Sequence, residues 1–305
     1  MVAVANPVIE TSGLRKRFGD FTALDGLDLR VEQGEVHGFL GPNGAGKSTT
    51  IRILLGLIRA SGGTARLFGR DPWHDAVALH QRIAYVPGDV SLWPGLSGGE
   101  CLDVLAAAHG PVDPARRDAM IERFDLDPAK KSQDYSKGNR QKVALVAAFA
   151  ARRDLLILDE PTSGLDPLME QVFQEVLREY QREGATVLLS SHILAEVEAL
   201  ADRVSIIRAG TTVSTGTLHE LRSHARTHVH AVTTTGPAGL DTAAGVSAVR
   251  VERNAGNYTV SFAVDADHVA AAIGALHAAG LRSITANPPS LDDLFLRNYD
   301  TVEVR

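Results

Sequence analysis

The sequence predicts an α/β fold built on a largely parallel sheet, with a small α+β unit after it. Three observations lead there. Short apolar segments alternate with helix-patterned ones through roughly the first two-thirds of the chain. A glycine-rich octapeptide, Gly41-Pro42-Asn43-Gly44-Ala45-Gly46-Lys47-Ser48, joins one of those strands to the helix after it. After about Arg222 the composition shifts to Ala, Val, Thr and Gly, and no further motif of that kind occurs.

Strands are expected at 36–40, 82–86, 155–158, 186–189 and 204–207, each a short apolar run. Helices are expected at 48–58, 99–109, 137–151, 168–182 and 193–201, where apolar residues recur at helical spacing. In a sheet of this kind ligands sit outside the carboxyl ends of the strands, where the octapeptide falls. Beyond Arg222, strands at 228–235, 246–253, 258–264 and 282–286 surround a helix at 266–279, with Asn254-Ala255-Gly256-Asn257 as a hairpin. That order suggests a ferredoxin-like unit. Apolar spacing in Leu291-Asp292-Asp293-Leu294-Phe295-Leu296 then predicts a terminal helix. The expected domains are thus 8–222, with a helical insert at about 95–131, and 223–305.

Bulk properties narrow the function. The 305 residues suit one large domain and a small one, with ordinary charged (22%) and hydrophobic (44%) fractions. A net charge of −6 without an evident basic face argues against a nucleic-acid partner. Cys101 alone permits neither an internal disulfide nor a multi-cysteine zinc site. The longest apolar run, 143–151, is far short of the roughly 18 residues that span a bilayer. The first residues do not read as a signal peptide. A cytosolic setting fits, and any work at a membrane would be done through another chain.

The octapeptide matches G-x-x-x-x-G-K-[ST]. Successive backbone N–H groups of such a loop turn inward around a phosphate chain, and the positive end of the following helix points at the anion. Lys47 would reach the β- and γ-phosphates, and the Ser48 hydroxyl would hold Mg²⁺; Thr49 completes the nucleotide-binding set that begins at Gly41. The second strong signal is Leu155-Leu156-Ile157-Leu158-Asp159-Glu160, a buried strand that delivers two carboxylates at its carboxyl end. Asp159 is placed to share Mg²⁺ with Ser48, and Glu160 to polarise an attacking water as general base. Between the two motifs, Ser136 in Tyr135-Ser136-Lys137-Gly138-Asn139 reads as an N-cap. Taken alone it would be an ordinary capped helix.

Together these segments resemble the nucleotide-binding subunit of an ABC transporter, a P-loop NTPase, over roughly residues 8–221. The family's Leu-Ser-Gly-Gly-Gln signature precedes the acidic strand, and Tyr135-Ser136-Lys137-Gly138-Asn139 occupies that place; Ser136 and Gly138 agree with it, Lys137 and Asn139 depart. Ser163-Gly164-Leu165-Asp166 resembles the D-loop, Ser190-Ser191-His192 the switch histidine that meets the γ-phosphate, and Phe18 the aromatic that stacks on adenine. Leu96-Ser97-Gly98-Gly99-Glu100 is nearer to the signature in letters but lies too far upstream, and Ser97-x-x-Glu100 reads as a capping box. After Tyr85-Val86-Pro87 the family usually has a glutamine. Here Gly88-Asp89 stands in that place, where Asp89 either meets the metal or simply turns the chain.

The resemblance implies an ATPase that binds ATP and Mg²⁺ and powers transport. Two ATP-binding subunits would meet head to tail, each ATP held between one phosphate loop and the partner's Ser136 segment. The helical insert would face a membrane-spanning permease subunit, with Leu92, Trp93, Leu96 and Leu102 as candidate contacts. The single phosphate loop, the Gly88-Asp89 departure and the C-terminal extension resemble exporters of the drug and antibiotic type. They imply a hydrophobic or amphipathic cargo and a peripheral place on the cytoplasmic face of the membrane. Two alternatives are a C-terminal domain that binds cargo such as a polysaccharide and a non-transport ABC ATPase. The first would want more aromatic residues than Tyr258 and Phe262; the second, a second phosphate loop or a long coiled-coil insert.

Overall fold

The structure, a computed structural model, describes residues 7–109, 112–223, 226–254 and 256–287. The chain divides into two compact units, Met1–Thr215 and Gly216–Arg305. Along the first run β1 (Ile9–Phe18), β2 (Phe21–Val31), β3 (Val36–Leu40), α1 (Lys47–Leu54), β4 (Gly62–Leu67), α2 (Ala76–His80), β5 (Ile83–Val86), α3 (Gly98–His109) and α4 (Pro114–Arg123). Then come α5 (Lys137–Ala150), β6 (Leu155–Asp159), α6 (Pro167–Arg182), β7 (Thr186–Ser191), α7 (Leu194–Leu200), β8 (Arg203–Arg208) and β9 (Thr211–Thr217).

Six strands form one sheet in the order β5-β6-β7-β3-β8-β9, with parallel pairing from β5 through β8. β3, β6 and β7 are buried at every position, as expected of parallel strands covered on both faces. The register sets Asp159 opposite Ser190 and Leu40 opposite Ser191, so the phosphate loop, the acidic strand and the Ser190-Ser191-His192 segment leave the sheet side by side. A second, antiparallel sheet, β2-β1-β4, has no counterpart among the expected strands. Its Ile9, Leu14, Leu24, Leu27 and Leu67 join Phe39, Ile51, Leu155, Ile157 and Leu188 in one continuous core.

Helices α4, α5 and α6 begin at side-chain caps. Asp113 accepts a hydrogen bond from Ala115 N with Pro114 at the first helical position of α4. Asp166 does the same for α6 through Met169 N at 3.0 Å, with Pro167 following it. α6 then buries Met169, Phe173, Val176, Leu177 and Tyr180, a single stripe at helical spacing. Phe149 of α5 meets Phe124, Phe173 and Tyr180 with ring centroids 5.6–6.1 Å apart, tying the insert to the sheet domain. Truncating such a buried ring to alanine typically costs about 3–5 kcal/mol. α1 ends earlier than its apolar spacing suggests, because the chain turns at Gly56 (φ 66°), where a Cβ would lie 2.3 Å from the Pro72 carbonyl oxygen.

The second unit contains α8 (Leu218–Ser223), β10 (Thr227–Thr233), β11 (Val246–Asn254), β12 (Asn257–Val264), α9 (Val269–Ala278) and β13 (Leu281–Asn287). Its sheet runs β11-β12-β10-β13, antiparallel throughout. Alternate residues Val229 and Ala231 of β10 and Val260, Phe262 and Val264 of β12 pack with Ala272 and Leu276 of α9. This is the strand order of a split βαβ arrangement, with an irregular segment at 234–245 where the first crossover helix would stand. The terminal helix expected at 291–296 lies outside the described residues.

Candidate functional site

The phosphate loop spans the carboxyl end of β3 and the start of α1. Gly46 (φ 111°) caps that helix, Ala45 N donates to Pro42 O at 3.1 Å, and Thr50 Oγ1 donates to Gly46 O at 3.0 Å. Lys47 is buried, and its Nζ donates to Gly41 O at 2.5 Å and Pro42 O at 3.3 Å. Burial pulls the Lys47 ammonium below the ordinary lysine value, with Glu160 and then Asp159 opposing the shift.

Asp159 is 7% exposed and accepts from Ser48 Oγ at 3.1 Å on one oxygen and from Ser190 Oγ at 2.9 Å on the other. Glu160 follows in the left-handed region (φ 49°), its N–H bonded to Ser190 O at 2.9 Å. Its Oε1 lies 3.0 Å from His192 Nδ1. A non-glycine residue in that conformation is held there by its surroundings, a form of strain common at reactive sites. Tyr85 stands nearby; burial pushes its hydroxyl up to about 12, Asp159 adding to the effect and Arg52 opposing it.

A cavity of about 180 Å³ follows the loop, lined by Pro42, Asn43, Gly44, Gly46, Lys47, Ser48, Thr49 and Glu160, and on its far wall by Phe21 and Ala23. Gly41 and Ala45 are buried behind it. Phe18 is not among the lining residues. It pairs with Phe21 across the β1–β2 hairpin, 48% exposed, with Lys16 Nζ 4.8 Å from its ring centroid. Phe21 is a wall residue that sequence reasoning missed, since a lone exposed aromatic early in a strand carries no local signal. A second cavity shares Glu160 and adds Ser163, Gly164, Leu165, Ser191 and His192.

Ser136 is exposed and caps α5, accepting from Asn139 N at 3.2 Å. The start of that helix leans on the loop after β6: Lys137 Nζ donates to Ser163 Oγ at 2.7 Å. At Gly138 a Cβ would fall 2.3 Å from Gly164 O, so only glycine permits the two backbones to touch. Asp166 is exposed, its side chain occupied with the α6 cap. Asp89 stands exposed in a bend after β5, and a Cβ on neighbouring Gly88 would lie 3.1 Å from Asp159 O. Ser97 N donates to Glu100 Oε2 at 2.6 Å and Glu100 N to Ser97 Oγ at 3.2 Å, so the signature-like letters there are a capping box opening α3.

The donor set suits a magnesium ion. Among the described residues no three His, Cys, Asp or Glu side chains cluster as a metal cage. A hydroxyl and one carboxylate oxygen converge instead, leaving the remaining positions to phosphate and water, as a hard, small cation prefers. The insert carries an apolar cavity of about 140 Å³ between β5, α3 and α5, whose lining includes Tyr85, Pro87, Leu92, Trp93 and Leu102. Leu102 is buried in packing, Trp93 is 47% exposed, and Leu96 is not in that lining. No helix among the described residues is long and apolar enough to cross a membrane.

Comparisons with known proteins agree with this geometry. The ABC transporter family model matches residues 24–163. A daunorubicin resistance ATP-binding protein, DrrA3, of Streptomyces coeruleorubidus is 40% identical over 225 residues, covering 72% of this chain and 71% of that protein. The bacitracin transport ATP-binding protein BcrA of Enterococcus faecalis is 34% identical over 222 residues, 72% of each chain. Among solved structures, an ATP-binding subunit of an ABC transporter superposes with a TM-score of 0.66 at 32% identity, over 70% of this chain and 92% of that one. The chain belongs to the ABC transporter family, as an ATP-binding subunit with ATPase activity.

Proposed function

We propose that this subunit hydrolyses ATP at the cleft between Lys47 and His192 to power export of a hydrophobic or amphipathic compound through a separate membrane-spanning subunit. The observation that carries the chemistry is the convergence of Lys47, Ser48, Asp159, Glu160 and His192 at one end of the sheet. The export reading rests on likeness to subunits named for daunorubicin resistance and bacitracin transport.

In this reading the loop from Gly41 to Thr49 cradles the triphosphate, and Lys47 neutralises its β- and γ-oxygens. Ser48 and Asp159 would hold Mg²⁺, which when bound draws charge from the bridge between those phosphates, and Asp89 would reach it from the rim. Glu160 takes a proton from the attacking water as its oxygen bonds to the γ-phosphorus, while the bond to the β-phosphate oxygen breaks and ADP leaves with the electron pair. His192 orients Glu160 and contacts the γ-phosphate, and Phe18 with Phe21 offers the adenine a ring surface. A second copy or a homologous subunit supplies Ser136, Gly138 and the Asp166 loop to the same nucleotide, making the working form a dimer. The apolar cavity at Leu92 and Trp93 receives the permease, which keeps the subunit peripheral on the cytoplasmic face.

Glu160→Gln tests the site. Turnover should fall about a hundredfold or more, the scale of a lost general base, with ATP binding nearly intact. Unchanged turnover removes Glu160 as the base. The cargo class is tested by ATPase stimulation of the subunit reconstituted with its permease; hydrophobic or amphipathic compounds should stimulate it, and stimulation by polysaccharides alone would overturn the hydrophobic-cargo reading.

A further inference from the structure

Glu160 and His192 belong to different loops, and their 3.0 Å approach depends on how those loops are held. Behind them lies Glu196, in the first turn of α7 and only 9% exposed. Its two carboxyl oxygens are divided between the loops. Thr162 Oγ1 donates to Oε1, and Ser191 Oγ donates to Oε2 at 2.9 Å. Thr162 follows Glu160 closely in sequence, and Ser191 immediately precedes His192. The bonds therefore close a ring, from Glu160 through Thr162, Glu196, Ser191 and His192 back to Glu160. Ser191 Oγ also accepts from Ile193 N at 2.9 Å, which orients that hydroxyl. Glu170 of α6 lines the same cavity; burial, then the charges of Glu196 and Asp166, push its carboxyl up.

A carboxyl group this deep is unfavourable unless hydrogen-bonded, and an apolar residue would pack there more easily. Its two bonds go to separate loops rather than to its own helix. We propose that Glu196 is a positioning residue for hydrolysis, fastening the loop after β6 to the loop after β7 so that Glu160 and His192 meet in register. This rests on the reading of Glu160 and His192 as the hydrolytic pair.

The test uses the full chain reconstituted with its permease, measuring kcat, KM for ATP and melting temperature. Glu196→Gln keeps the shape but turns one acceptor into a donor. Its kcat should fall about ten- to a hundredfold, the scale of displacing a reacting group by about 1 Å, while KM stays within about twofold. Thr162→Val should lose kcat in the same way, and Thr162→Ser, which keeps the hydroxyl, should retain it. In a His192→Ala background, Glu196→Gln should have little further effect, because both changes break one unit. Additive losses, or a lowered melting temperature with kcat kept, would overturn the proposal. If Glu160→Gln and His192→Ala themselves leave turnover intact, it is the functional reading that fails. Should Glu196→Gln not fold, Ser191→Ala and Thr162→Val carry the same comparison.

Discussion

Both oxygens of Asp159 are engaged by hydroxyls, those of Ser48 and Ser190. A hydroxyl that donates to a carboxylate can turn its lone pairs toward a cation by rotation about one bond, so Ser48 can serve the metal without moving the backbone. Asp89 stands exposed in the bend after β5, next in sequence to Gly88, where a Cβ would meet the end of β6. If it reaches the ion from the rim, Asp89→Ala should raise the Mg²⁺ concentration for half-maximal ATPase by about tenfold, the scale of a lost outer ligand. An unchanged titration would make Gly88-Asp89 a simple turn. Lys47, Ser48, Asp159 and Glu160 were legible in the sequence because loop and strand impose their spacing. Phe21 and Glu196 were not, since each acts through neighbours distant in sequence.

At the level of elements, two serines open two helices with different consequences. Ser97 caps α3 with Glu100 reciprocating, and hydrogen bonds from the Ser97 backbone and side chain, then Lys131, hold the Glu100 carboxyl below its ordinary value. Ser97→Ala should lower the urea midpoint by removing the cap, with ATPase turnover unchanged. Ser136→Ala should lower turnover at high ATP, because Ser136 stands exposed at the start of α5 and its hydroxyl, which accepts from Asn139 N, still has a proton to donate across a subunit interface. A loss of turnover in Ser97→Ala with none in Ser136→Ala would reverse which segment is the signature. The parallel strands and their helices were readable as apolar runs and 3.6-residue stripes. The β2-β1-β4 sheet was not, because bulges between Thr11 and Leu14 and again before Arg17 break the alternation, and β4 opens with two glycines. α4 carried its own signal in Asp113-Pro114, a cap followed by a first-turn proline.

For the whole molecule, acid sensitivity should track Glu35 at the base of the central sheet. Burial would raise its carboxyl, but the His37 ring 2.9 Å away, the Glu32 N–H and the charges of His37 and Arg203 outweigh it, leaving the net value below 4.5. A depressed folded pKa gives stability that is present above the unfolded value and lost as pH falls through the folded one. Glu35→Gln should thus cost about 1.5–3 kcal/mol near pH 7, the scale of a hydrogen bond to a charged group, and the gap should narrow as pH falls through the depressed folded value. A gap independent of pH would remove the electrostatic origin. On this scale the contact of Gly138 with Gly164 also sets what can move. With no side chain between the two backbones and Lys137 latched to Ser163, there is no layer in which they could slide. A tilt of α5 would therefore carry the loop after β6 with it, and Glu160 at the head of that loop.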